Sequence, residues 1–223
     1  MKGLLGLHVA AFLTLCVPGA WAQNLASSDP VNRADVTGIV GWLNADRSEF
    51  TFERYNTWDN RAAFGGASAG WYWTDHLKTE VDAGLSSRVT RRSNDYVNDG
   101  KQTRIVYDEY RFASRRFGVA QHYQFRRNVW FHPWVSAGLD FTWEHIDETE
   151  GPIYITDLVT HQSRTEPGEG VLPQRTKFTA RPYGALGFKT YMAPRTFFRT
   201  DMKFVFRNGV DEVLLRFGLG VDF

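Results

Sequence analysis

Four groups of residues have the types that do chemistry. His132 with Ser136 joins a base to a hydroxyl nucleophile; His122 with His132 offers two imidazoles across a tight turn; Glu144, His145, Asp147 and Glu148 gather acids around a histidine. Gly65-Gly66-Ala67-Ser68-Ala69-Gly70 has the small-residue density of a phosphate loop. Each needs a particular geometry. Four residues along a strand separate His132 from Ser136 by about 13 Å, beyond the hydrogen-bond reach of a nucleophile and its base. A metal at the two histidines would want a carboxylate that the spacing does not supply, and the glycine run lacks the lysine of a P-loop. These residues therefore read as a polar packed interior. No catalytic residue, metal site or cofactor is expected, although a serine on a neighbouring strand stays open.

The elements that hold these residues have a period of two. Leu77, Thr79, Val81, Ala83, Leu85 and Val89 alternate with Lys78, Glu80, Asp82, Gly84, Ser86 and Arg88. Val135, Ala137, Leu139, Phe141 and Trp143 repeat the pattern, and Val213, Leu215, Phe217, Leu219, Val221 and Phe223 repeat it again, with Leu214 out of phase. Only a strand presents such a series as two chemically different faces. The template predicts eight strands, near 36–45, 62–73, 77–90, 102–125, 130–144, 177–191, 196–207 and 213–223. The connections alternate: 46–61, 91–101 and 145–176 are long, whereas 74–76, 126–129 and 192–195 are short. Asn208-Gly209 closes the last hairpin as a two-residue turn.

The chain has 26 Lys+Arg against 25 Asp+Glu and a single cysteine. Without a basic excess a nucleic-acid partner is not expected, and one cysteine cannot form an internal disulfide. Residues 1–22 read as a signal peptide: Lys2, an apolar core from Val9 to Val17, a Pro18-Gly19 break and Ala20-Trp21-Ala22 as cleavage site. Residues 23–35 read as a flexible leader, and 36–223 as one β-domain.

An even number of antiparallel strands with long loops at one end and tight turns at the other is the pattern of an all-β, eight-stranded antiparallel up-and-down transmembrane β-barrel. The stretch Arg181-Pro182-Tyr183-Gly184-Ala185-Leu186-Gly187-Phe188-Lys189-Thr190-Tyr191, with 195–206 and the closing 211–223, resembles the small outer-membrane β-barrel proteins of Gram-negative bacteria. The resemblance implies an outer-membrane location and insertion by the barrel-assembly machinery. That machinery would read Phe223 with Leu215, Phe217, Leu219 and Val221 before it. The family spans adhesins, small pores, lipid-modifying enzymes and anchors, so it implies no single activity.

Alternation alone does not say which face points inward, since a soluble lipocalin-like ligand carrier has the same period. Two features favour the membrane. Glycines 84, 118, 138, 187, 218 and 220 lie on the polar face, where long ionic side chains crossing a narrow lumen need space, and Trp71, Trp73, Phe131, Trp143, Phe178 and Phe223 lie near strand ends, as interfacial girdles do. The interior ions are then Lys78, Glu80, Asp82, Arg88, Arg116, Asp140, Glu144, Arg181, Lys189, Arg199, Asp201, Lys203, Arg207, Arg216 and Asp222. Burial of an unpaired ion costs several kcal/mol, so these should form one interlocking network. A turn at Asn208-Gly209 places Asp201 opposite Arg216 rather than Lys203 opposite Arg216, the register that electrostatics prefers. The expected role is structural or a surface interaction, with outer-membrane lipid as surroundings and a surface ligand at the loops Asp46–Arg61 and His145–Thr176. A small-solute channel and a lipid A-modifying enzyme are the rival readings.

Overall fold

A computed structural model describes residues 33–46, 48, 58–125 and 131–223. The expected signal peptide, most of the leader, the expected 126–129 turn with Trp130, and residues 47 and 49–57 of the expected 46–61 loop, including Phe50, Phe52 and Tyr55, lie outside the described residues. Eleven strands are present: β1 (Ala34–Asp46), β2 (Trp58–Tyr72), β3 (Leu77–Ser86), β4 (Val89–Asn98), β5 (Gln102–Gln124), β6 (Phe131–Asp157), β7 (Ser163–Glu166), β8 (Gly170–Val171), β9 (Arg175–Tyr191), β10 (Thr196–Phe206) and β11 (Val210–Asp222).

Eight of them close a ring. The order β1-β2-β3-β5-β6-β9-β10-β11 returns to β1 with every neighbour antiparallel. Closure removes every edge within the ring, which suits a wall whose backbone must be satisfied without water. Asp201 faces Arg216, as electrostatics requires, but the pairing slips between Val205 and Phe206, so Phe206 meets Val210. The last hairpin thus ends in an irregular turn over 207–209 rather than a plain two-residue one.

The apolar side chains point outward. Leu215 is 36% exposed and Leu219 60%, whereas Arg216 is 1% and Asp201 4% exposed. A soluble carrier requires the reverse. Trp71, Trp73 and Phe223 are exposed at the tight-turn end and Trp143 and Phe178 at the other. Phe131 and Trp143 bound the belt on β6; twelve strand steps inclined by about 40° put them roughly 30 Å apart, which matches a bilayer with its interfaces.

Above the barrel the chain departs from the eight simple strands. The third strand breaks at Ser87-Arg88 and resumes as β4, so the expected loop 91–101 is mostly strand, pairing Val89–Asn98 with Thr103–Phe112. β6 likewise runs on to Asp157, and the expected loop 145–176 is largely sheet: Gln102–Ala113 pairs with His145–Asp157, and Ile153–Thr156 pairs with β7. The tip of that hairpin falls at 158–162, where His161 adopts a left-handed φ of 57°. Glu166–Gly170, inside the expected loop 145–176, runs back along β6, with Gly168 so close to the Gly151 carbonyl that a Cβ would stand 2.0 Å from it. Polar composition predicted loops here because both faces of a projecting sheet meet water, which weakens the alternation that marks a half-buried strand.

Candidate functional site: an ion-paired lumen and a projecting sheet

Inward-facing positions of seven ring strands meet on the barrel axis. Among the described residues the buried ions are Lys78, Arg116, Arg181, Lys189, Arg199, Lys203 and Arg216 against Asp35, Glu80, Asp82, Asp140, Asp201, Glu212 and Asp222, seven of each sign. They form one chain of alternating charge that runs the height of the barrel. At the tight-turn end Lys189 joins Asp222 (2.5 Å) to Asp35 (3.4 Å), and Lys78 joins Asp35 (3.0 Å) to Glu80 (2.6 Å). Arg199 then bridges Glu80 (2.6 Å) and Asp201 (2.9 Å), and Arg216 bridges Asp201 (2.6 Å) and Asp82 (3.4 Å). Lys203 links Asp82 (3.4 Å) to Asp140 (2.6 Å). Arg116 links Asp140 (2.6 Å) to Glu212, and Arg181 links Glu212 (2.7 Å) to Asp211 at the loop end. Each carboxylate from Asp35 to Glu212 on this path touches two cations, so the desolvation of these ions is offset by partners on both sides.

The strands give this chain room by omission. β2 contributes Ser68 and glycines rather than ions to the interior, and a Cβ on Gly118 would stand 2.7 Å from an Asp82 oxygen. On Gly187 it would stand 2.5 Å from the Asp201 Cβ. Aromatics pack against the cations: Arg199 lies 4.5 Å from the Trp134 ring and Lys203 3.9 Å from that of Tyr183. Ile39, Leu43, Phe64, Val205 and Leu214 fill the interior beside Tyr183. Leu214, out of phase in the sequence, is one of these, in step with Arg216 and Glu212.

Twelve of the fifteen interior ions read from the sequence are buried in this chain. Three are not. Arg88 is 62% exposed at its side chain because the strand breaks beside it, and it lies 3.8 Å from Asp147. Arg207 is exposed in the last turn, where the slipped register lifts it out of the lumen. Glu144 is half-buried and lines the polar cleft at the loop-end mouth with Asp46, Ser48, Lys177, Arg207 and Asp211. Asp35 and Glu212 were missed although both are in inward phase; each sits beyond the first apolar residue of its strand, where the alternation had not yet begun. Leu215, Phe217, Leu219 and Val221 lie on the outward face of β11, and Phe223, exposed, directly follows it.

The catalytic candidates are placed as follows. His132 faces Lys189 rather than a serine on β9, and Ser136 stands instead directly opposite His122 on β5. His122 lies 3.5 Å from Glu80, but its ring packs at 4.5 Å on Trp134, and the buried Ser136 Oγ has no hydrogen-bond partner among the described residues. Acid, imidazole and hydroxyl are thus neighbours without the hydrogen-bond relay that activates a nucleophile. His132 packs edge-on against Tyr191 at 5.2 Å, and His145 bonds to the Thr176 hydroxyl at 2.9 Å. Among the described residues no group of three or more His, Cys, Asp or Glu is arranged to hold a metal.

Outside the barrel, the sheet β4-β5-β6-β7 rises from one side of the ring. Its outward face carries Tyr96 (61% exposed), Tyr107 and Tyr154, the last two in edge contact at 5.5 Å. Its other face holds Asp95, Asp108, Glu148 and Glu150. Partial burial, with repulsion from Glu148, Glu150 and Asp95, raises the Asp108 carboxyl above its usual range. β4 pairs only with β5, so its other edge is open among the described residues.

The fold and interior together define a transmembrane β-barrel with a chain of paired ions along its lumen. Solved structures similar to it are outer-membrane barrels: the N-terminal barrel domain of OprF from Pseudomonas aeruginosa (14% identity, 86% of this chain and 98% of that one, TM-score 0.48) and neisserial surface protein A (12%, 85% and 97%, 0.46). Ail, the attachment invasion locus protein of Yersinia pestis, is a third (7%, 85% and 95%, 0.42). No protein-family model and no curated protein matches the sequence.

Proposed function

We propose that this protein is a non-enzymatic integral outer-membrane barrel that presents the sheet β4-β5-β6-β7 to the cell's surroundings. One observation carries the reading: alternating ions occupy the lumen from Asp222 to Asp211, so the projecting sheet, with its open β4 edge and exposed tyrosines, is the part offered to a partner. An open edge offers unpaired backbone donors and acceptors to an added strand, and tyrosines add contact area at small entropy cost. Outer-membrane lipid surrounds the belt, and the barrel-assembly machinery receives the terminal strand through Phe223. A solute channel is disfavoured because water would have to displace paired ions that are each at most 8% exposed. The test is membrane fractionation with heat-modifiable gel mobility, followed by planar-bilayer recording. The reading expects a heat-modifiable outer-membrane protein without unitary conductance. Migration as a soluble protein, or reproducible conductance steps, would refute it.

A further inference from the structure

On the outward wall no Asp, Glu, Lys or Arg occurs along β3 from Leu77 to Leu85, along β5 from Tyr123 to Phe117, or along β6 from Phe131 to Trp143. The first charge met on rising from this belt is Arg115. It stands opposite Leu85 on one side and Trp143 on the other, at the height of the Trp143–Phe178 girdle, and is exposed without an ion-pair partner among the described residues. Higher on the same strip is Arg111, opposite Thr90 and Asp147. Arg88 falls in the break between β3 and β4, between Leu85 and Thr90, the partners of Arg115 and Arg111, and so comes between the two arginines in height.

We propose that Arg115, Arg88 and Arg111 bind a doubly phosphorylated lipid headgroup of the outer leaflet, whose acyl chains lie on Leu85, Phe117 and Val81. The inference rests on the membrane placement proposed above. The charge is right: counting Arg92, four arginines share this strip with two carboxylates, Glu109 (bound to Arg92 at 3.2 Å and Arg111 at 2.9 Å) and Asp147. The height is right, because acyl chains against the belt bring their headgroup to Arg115. The spread is right as well. Arg111 and Arg115 are separated by four strand residues, about 13 Å, more than one phosphate spans. The guanidinium fork suits phosphate oxygens, and its long stem allows the charge to rise from the apolar belt.

The test folds the full chain in detergent micelles and counts bound lipid by native mass spectrometry, using bisphosphorylated lipid A and the same lipid A stripped of phosphate. Wild type should retain the phosphorylated form and shed the stripped one. Arg88→Gln or Arg115→Gln should weaken retention about fivefold and the double variant about 25-fold, while Arg164→Gln, on the distant hairpin, should change nothing. Equal retention of the two lipids, or a double variant within twofold of wild type, would overturn the proposal. Heat-modifiable folding into phosphatidylcholine vesicles lacking lipid A separates the two ideas. A chain that inserts there but ignores phosphate loses only the headgroup site; a chain that fails to insert loses both.

Discussion

Replacing Asp140 with asparagine tests the ion chain at its most buried link. The side chain is fully buried and accepts from Arg116 (2.6 Å), Lys203 (2.6 Å) and the Thr142 hydroxyl (2.7 Å). Asparagine keeps the volume and removes the charge, leaving Arg116 with Glu212 alone and Lys203 with Asp82 at 3.4 Å. Breaking one partner of a buried pair typically costs 3–5 kcal/mol, so denaturant unfolding in lipid vesicles should show a loss of about that size. Lys203→Met should cost a similar amount. The double variant restores the balance of charge, with Asp82 still held by Arg216 and Arg116 by Glu212, so it should be more stable than the sum of the singles by at least about 2 kcal/mol. An Arg164→Gln change at the exposed Arg164–Glu166 pair, whose side chains are 62% and 44% exposed, should cost less than about 1 kcal/mol. An Asp140→Asn loss below about 0.5 kcal/mol, or strict additivity in the double variant, would refute the view that these ions act as one network.

Three further outcomes follow from local geometry. Gly118→Ala pushes a Cβ against the Asp82 carboxylate and should cost about 1–3 kcal/mol by the same unfolding measurement. Asp108→Asn should slow amide exchange across β4 and β5, because a carboxyl whose folded value is raised destabilises the sheet when ionised and ceases to do so as pH falls through that value. At the β4–β5 turn the sign is opposite. The amides of Gln102 and Lys101 hold the Asp99 carboxyl below its usual range, so its stabilisation is complete above about pH 4 and is lost as pH falls through the lowered folded value. Exchange at Gly100 to Gln102 should rise on acidification in wild type and be less pH-dependent in Asp99→Ala.

The barrel was legible wherever one face of a strand meets hydrocarbon and the other meets ions. Leu215 to Phe223 on β11 shows this, and the Asp201–Arg216 pairing followed from charge once the hairpin was recognised. What escaped did so for physical reasons. β4 and the upper half of β6 are wetted on both faces, so the alternation fades and Arg91–Lys101 reads as loop, whereas β5 was legible over its whole length. Asp35 and Glu212 lie where strands leave the belt, beyond the apolar residues that mark phase. Leu214 looked like an error in the pattern because a lumen full of ions was expected, yet the loop-end half also contains Phe64, Val205 and Leu43. The arginine strip at Arg115 was hidden for a different reason: Arg111 and Arg115 come from β5 and Arg88 from the break between β3 and β4, and they converge only when these strands pair.

The central claim is that lipid touches one face of each ring strand, the odd-numbered one on β6, and paired ions the other. Single cysteines at positions 135 to 139 of β6, in a chain freed of Cys16, can each carry an environment-sensitive fluorophore in vesicles whose acyl chains are brominated. Labels at 135, 137 and 139 should be strongly quenched, while those at 136 and 138 should be little quenched or prevent folding. Quenching in the opposite phase, or equal at all five positions, would contradict the account.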